Sequence, residues 1–297
     1  AAKEHSDLPV CATVVFDEKG KMLTGGTPES VVALLEGLHI DALGINCSLG
    51  PRQIKPFVER MIQVSSTPII VTPNAGLPQT DDEGHTYYDM SADDFALEMK
   101  EIASLNVHVL GGCCGTTPEY LSKTIELVKD LPIEPPVKKN MSVVTSFSQS
   151  VEIGPKPVII GERINPTGKK KFKQALRDGD INYILSEGLK QEDAGAHILD
   201  VNVGLPEIDE PKMMVEVMKK LQSVIALPLQ IDTSDPIALE AALRHYNGKA
   251  MINSVNGKQE SMDAVFPLVQ KYGGVVVGLA LDEDGIPDNA ADRIRIA

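Results

Sequence analysis

The feature that most narrows what this chain can fold into is an alternation: short apolar, β-branched runs recur with helical patterns between them, roughly 25–40 residues apart. The runs read as buried on both faces, the mark of parallel strands covered by helices. Strands are predicted at 9–16, Asp41–Cys47, Pro68–Thr72 and Val107–Gly111. Helices are predicted over Thr27–Leu38, which opens on a Thr-Pro-Glu-Ser start signal, over Pro51–Val64, over Ser91–Ser104 behind a serine cap, and over Pro118–Leu131. Residues 132–157 break the rhythm with Pro132, Pro135, Pro136, a Lys-Lys-Asn turn and a Ser-rich stretch, and read as a linker. The rhythm then resumes with strands at Val158–Ile164, His197–Val203, Leu227–Thr233, Ala250–Ser254 and Val275–Leu281, separated by helices such as Asn182–Ala194 and Pro211–Val224.

Such repetition gives either a doubly wound sheet or a closed (β/α)8 barrel. No strand is followed by a G-x-G-x-x-G phosphate turn, and polar residues sit at the C-terminal ends of several strands, both of which favour barrels. The expectation is an α/β protein of two TIM-barrel domains, 1–131 and 158–297, joined by 132–157. Four βα units on one side and five on the other fall short of eight. Each barrel is therefore expected to be incomplete, the chain lacking both outer ends, or else both domains are smaller open sheets.

Composition excludes other classes. No apolar run approaches a bilayer span and no signal-peptide pattern opens the chain, so a soluble cytoplasmic protein without a membrane partner is expected. The formal charge of −14 opposes phosphate backbones, and the largest basic cluster is Lys169, Lys170, Lys171 and Lys173. Nucleic acid is not an expected partner. Four cysteines in 297 residues cannot form a disulfide scaffold, and a disulfide between the neighbours Cys113 and Cys114 would be strained. Cys11, inside the apolar run 8–16, reads as a buried small hydrophobe.

Cys47 ends one predicted strand, and Cys113 and Cys114 end another, so in a barrel all three face the same mouth. Glycines around the pair let the backbone turn and bring both sulfurs to one ion. Three protein ligands on zinc leave a fourth position for substrate, and a thiol bound there loses its proton. Spacing alone leaves two alternatives open, a buried pair filling a strand end and a vicinal redox switch. The string Gly111 to Tyr120, GGCCGTTPEY, together with Gly44-Ile45-Asn46-Cys47, resembles the homocysteine-binding barrel of the cobalamin-dependent methionine synthase family and, more distantly, its betaine-using relatives. That resemblance implies that Cys47, Cys113 and Cys114 bind zinc with homocysteine as fourth ligand. It also implies that Asn74 lies close to metal and substrate, where residue type alone would suggest a turn former.

In the second half, Gly161–Gly168, Leu199–Gly204, Ile231–Ser234 and Ile252–Gly257 all place polar side chains at strand ends, which suits a ligand with many hydrogen-bonding edges. A carboxylate such as Asp232 can accept from a pterin's ring N–H and exocyclic amine together, and the Asn253 amide can meet the remaining groups. Singly, each such residue is more often a cap or turn former. As a set they resemble the pterin-binding barrel shared by methionine synthases and corrinoid methyltetrahydrofolate methyltransferases, with dihydropteroate synthases as remoter cousins. By that resemblance Asp232 and Asn253 contact the pterin, and Glu162, Asn165, Asp200 and Asn202 line its pocket. Asp282–Pro287 matches a loop of the same family without an assigned role.

The resemblance spans essentially the whole chain and implies methyl transfer from 5-methyltetrahydrofolate to zinc-activated homocysteine, with no covalent intermediate on a side chain. Methylcobalamin would be carried on a domain that this chain lacks. No D-x-H-x-x-G cobalamin signature occurs, and His108, in the nearest string 106–111, reads as structural. Rival readings are a homocysteine methyltransferase using another donor and a non-catalytic zinc- or folate-binding fragment.

Overall fold

The alternation is realised as two separate parallel sheets, each with its own core. The computed structural model describes residues 1–297, which divide into two units, Ala1–Asn140 and Met141–Ala297. No helix is long and apolar enough to cross a membrane.

The first unit runs α1 (Ala2–His5), β1 (Cys11–Val14), α2 (Pro28–Gly37), β2 (Ala42–Asn46), α3 (Pro51–Val64), β3 (Ile69–Thr72), β4 (Pro78–Thr80), β5 (Thr86–Tyr88), α4 (Ala92–Ala103), β6 (Val109–Leu110) and α5 (Pro118–Val128). Helix starts follow the predicted signals. Ser30 N–H donates to Thr27 Oγ1 at 3.2 Å and Thr27 N–H to Ser30 Oγ at 2.8 Å, while Pro28, Pro51 and Pro118 fill first turns where no N–H is needed. The main sheet is parallel in the order β1-β2-β3-β6, and Leu43, Ile45, Ile69 and Val71 pack on α3 and α4 through Ile54, Val58, Met61, Phe95, Met99 and Ile102. β4 and β5 form a separate antiparallel hairpin.

The second unit runs β7 (Ser142–Thr145), β8 (Ser150–Ile153), β9 (Ile160–Ile164), α6 (Lys170–Asp178), α7 (Ile181–Asp193), β10 (Ile198–Val201), α8 (Glu210–Gln222), β11 (Leu229–Asp232), α9 (Pro236–His245), β12 (Met251–Asn256), α10 (Gln259–Tyr272), β13 (Val275–Leu279) and α11 (Ala290–Ile296). Its parallel sheet has the order β9-β10-β11-β12-β13. Alternation sorts the faces: Leu199, Val201, Leu229, Ile231 and Ile252 join Met214, Val217, Leu221 and Leu239 of the helices, while Ile160, Ile198, Met251 and Val275 cluster with Val144 and Val151.

In both sheets spatial order follows chain order. A doubly wound sheet reverses direction at a switch point, and neither sheet does; each strand is added beyond the last.

Three expectations are corrected. Residues 132–157 are not linker throughout, because 142–153 form the β7–β8 hairpin. That hairpin belongs to the second unit: Lys249 N–H donates to Thr145 Oγ1 (2.9 Å), Tyr246 Oη to Thr145 O (2.7 Å) and Ser146 Oγ to Ala226 O (2.6 Å). Gly248 permits the approach, since a Cβ there would lie 2.2 Å from Thr145 O. Strands are not uniformly buried on both faces either. β2 and β10 are close to it, whereas β1 and β13, at sheet ends with a neighbour on one side only, stay partly exposed. For the same reason Cys11, which opens β1, is exposed and not a buried hydrophobe.

Candidate functional site

Three neighbouring strands of the first sheet end in the residues of the cysteine centre. β2 delivers Cys47, β3 delivers Asn74, and β6 delivers Cys113 and Cys114. Adjacent strands lie about 4.8 Å apart, so β2 and β6, with β3 between them, stand roughly 10 Å apart, and their loops must lean over the end of β3 for the sulfurs to meet. Backbone conformation supplies the bend. Cys47 and Ser48 adopt the left-handed region at φ 66° and 67°, unusual for residues with a side chain, and Gly115 adopts it at φ 80°. Main-chain bonds hold the loops there: Cys47 N–H donates to Thr72 O (2.9 Å), Cys113 N–H to Pro73 O (2.7 Å) and Ala75 N–H to Cys114 O (2.9 Å). Asn74, 3% exposed, adds a side-chain bond by accepting the Cys114 N–H at Oδ1 (3.2 Å).

The result is a triangle of sulfurs. Cys47 Sγ lies 3.6 Å from Cys114 Sγ, Cys113 Sγ lies 3.8 Å from Cys114 Sγ, and all three fall within 4.8 Å of one another. Zn–S bonds of about 2.3 Å in tetrahedral geometry require sulfurs roughly 3.8 Å apart, so the donor set and its spacing fit a zinc ion with one position open. Burial, together with hydrogen bonds to the Cys47 and Cys114 thiols, pushes the Cys113 thiol up to about 11. Burial also raises Cys47, but the Ser48 N–H and the side chains of Cys113, Cys114 and Asn74 outweigh it and hold that thiol below its usual range. Sequence reasoning missed one neighbour of the centre, Tyr88 of β5, whose ring lies against Gly115, the residue after Cys114: a Cβ there would lie 2.4 Å from Tyr88 Cδ2. His108 lies apart from the sulfurs, its Nε2 3.1 Å from Glu134 O, as a structural histidine would.

In the second unit the polar residues form layers on the sheet face that carries Ile198 and Met251. Pairing sets Asp200 beside Gln230 and Asp232 beside Asn253. Asn202 Nδ2 donates to Asp232 Oδ2 at 3.0 Å and Asn165 Nδ2 to the same oxygen at 3.5 Å. One layer below, Gln230 Nε2 donates to Asp200 Oδ1. Burial first, then the charges of Asp232 and Glu162, raise Asp200 to about 6 against the bond from Gln230. Burial, with Glu162 adding to it, likewise holds Asp232 above its usual range despite the bond from Asn202. Glu162 itself is exposed and ion-paired with Lys169 Nζ at 3.0 Å.

Asp232 and Asn253 line a cavity of about 380 Å³ together with Thr233, Ser234, Asn256 and Lys258. Asp200, Asn202, Asn165 and Glu162 are not in its lining; Asn202 and Asn165 support it through Asp232. Gln230 went unremarked in the sequence. Its position two before Asp232 puts it on the same face, and its Oε1 is buried without a hydrogen-bond partner. Asp282 receives an ion pair from Arg295 at 3.4 Å and Glu283 accepts the Gln259 N–H at the start of α10, which gives their loop a structural task.

Comparison with known proteins adds to this geometry. The homocysteine S-methyltransferase family model matches residues 1–128, and the pterin binding enzyme model matches residues 161–294. The methionine synthase of Mycobacterium tuberculosis is 30% identical over 303 residues, and that of Mycobacterium leprae 29% identical over 308; each alignment covers 98% of this chain and 25% of the relative. The chain thus spans about a quarter of the length of the curated relatives it matches. Among solved structures, Xanthomonas albilineans dihydropteroate synthase in complex with indole-2-carboxylic acid and 6-chloroguanine matches 43% of this chain and 47% of its own, at 22% identity and a TM-score of 0.34. With both units matched in turn and one relative aligned across them, the chain is similar to part of the methionine synthases, its first unit matching the homocysteine S-methyltransferase family and its second the pterin binding enzymes.

Proposed function

We propose that this chain serves methyl transfer from 5-methyltetrahydrofolate to homocysteine, holding zinc and homocysteine on its first unit and the pterin on its second. The observation that carries the reading is the sulfur triangle of Cys47, Cys113 and Cys114, with spacings of 3.6 and 3.8 Å where tetrahedral zinc needs about 3.8 Å. Bound zinc would lower the pKa of the homocysteine thiol and keep its sulfur nucleophilic at neutral pH. The chain's own residues do the rest. The three cysteines leave one face of the ion for the substrate, and Asn74 fixes the Cys114 loop through its carboxamide.

At the second unit, Asp232 accepts from the pterin ring N–H and exocyclic amine, and the Asn253 amide meets the ring's other polar edge. Asn202 and Asn165 orient Asp232, Asp200 lies one layer below with Gln230, and Glu162 lies at the rim. A corrinoid carried elsewhere in the whole protein would pass the methyl group between the sites. In this reading the first unit is the C-terminal part of one (β/α)8 barrel and the second the N-terminal part of another, a view supported by their sequential winding.

Metal analysis of the purified chain tests the first site: about one zinc per chain is expected, with Cys113→Ser losing it, and a wild-type chain free of zinc would overturn the assignment. Calorimetry with methyltetrahydrofolate tests the second. Asp232→Asn is expected to weaken binding at least tenfold, about 1.4 kcal/mol, because one acceptor becomes a donor facing a donor. Unchanged affinity in that variant refutes the pterin role.

A further inference from the structure

We propose that Lys258 is a specificity-determining residue of the second unit's cavity, its ammonium receiving the glutamate carboxylates at the far end of the pterin substrate; this rests on the pterin reading given above and extends it to the substrate's other end. Methyltetrahydrofolate is a ring joined through an aromatic amide to a dicarboxylate. Asp232 and Asn253 suit the ring, and Asp232 repels an anion.

The cavity is otherwise a poor place for negative charge. Its lining includes the carboxylates of Asp232, Asp235 and Glu260, and Lys258 is its one basic residue. The chain as a whole carries −14. An anionic group held here without a cation would meet like charge on several sides, at a cost that grows as water is excluded. Lys258 also has its charge uncommitted. Asp235 caps α9 by accepting the Ile237 N–H (2.8 Å), Glu283 accepts the Gln259 N–H (3.1 Å), and Lys169, at the other end of the sheet, is ion-paired with Glu162. Lys258 enters no ion pair and stands exposed.

Position suits the role. β12 carries Asn253 and ends at Asn256, so at about 3.3 Å per residue the strand rises about 10 Å from the level of the ring to its exit, and Lys258 follows at the start of α10. A ligand with its ring on Asp232 and Asn253 and its aromatic amide along this strand brings its carboxylates to the rim where Lys258 sits. The base of the lysine is fixed there. Lys258 N–H donates to Asn256 Oδ1 (3.0 Å) and Gly257 N–H to Leu281 O (2.7 Å), and a Cβ on Gly257 would lie 2.6 Å from Ile296 Cγ2 and 2.9 Å from Leu281 O. The loop is thus held against the chain that leaves β13, and the flexible four-carbon stem of Lys258 does the reaching.

Calorimetry on the full chain compares 5-methyltetrahydrofolate with its bis-amide, in which both glutamate carboxylates become neutral amides of nearly the same shape. The wild type is expected to prefer the acid, with a preference that shrinks as salt is raised. Lys258→Met keeps the stem without the charge and is expected to lower that preference about fivefold, the scale of an exposed ion pair. Lys258→Glu is expected to lower it further. A wild type indifferent to the two ligands, or a Lys258→Met chain that loses affinity for both alike and keeps the preference, would overturn this inference while the pterin site stands. A wild type that binds neither ligand would overturn the pterin reading with it.

Discussion

Asp200 places a carboxylate in a buried layer, 2% exposed, beneath Asp232, and its pKa of about 6 makes a testable statement about stability. A carboxyl group whose folded pKa exceeds the unfolded 3.8 favours the folded state when protonated, so its contribution is fully present below pH 3.8 and is lost as pH rises through about 6. Asp200→Asn stays neutral and can still accept from Gln230 Nε2. Urea unfolding of the second unit should therefore find the variant gaining on the wild type between pH 4 and pH 7, by on the order of 2–3 kcal/mol at about 1.4 kcal/mol per pKa unit. A stability difference that does not change with pH would contradict this account. The cysteines offer a second test at this scale: Cys47→Ser should also lose zinc, read by metal analysis, because the left-handed turn at φ 66° leaves no other thiol near that corner of the triangle.

Among elements, the β7–β8 hairpin is the one whose role differs most from its appearance. Tyr246 joins it to the sheet by donating to Thr145 O at 2.7 Å while accepting the Leu229 N–H at 2.9 Å. Tyr246→Phe leaves both groups buried without partners, and a loss of roughly 2–4 kcal/mol in the second unit's unfolding free energy is expected. A loss below about 0.5 kcal/mol would mean the hairpin is merely laid on. This hairpin also marks where sequence reading ran out. Pro51–Val64 was legible to the residue because apolar spacing and a first-turn proline agree, and the nine main-sheet strands were legible because β-branched runs announce them. β4 and β5 carry Gln79, Thr80 and Thr86 with no apolar rhythm, and β7 and β8 are four-residue strands opening on Ser142 and Ser150 inside a proline- and serine-rich stretch, docked on the sheet by contacts distant in sequence. The cysteine trio could be read from residue type and strand-end position. Tyr88 and Gln230 could not, since each acquires its neighbours only when separate loops or strands come together.

At the scale of the whole chain, two separate cores imply two separate responses to ligands. Chelating zinc from the first unit removes a ligand that binds only its folded state, so its melting transition should fall while the second unit's is unmoved; methyltetrahydrofolate should do the converse. Scanning calorimetry with chelator and with folate checks both, and a single transition shifted equally by either would refute the separation. The sulfur triangle has one further consequence, for anyone wishing to build such a centre elsewhere. Cys47 and Cys114 are 67 residues apart, and the loops that unite them are bent over the end of an intervening strand. No contiguous peptide contains the centre, so grafting GGCCG onto a new scaffold would transfer two thiols and none of the geometry. The transferable unit is three adjacent strand ends, in this order and with these turns.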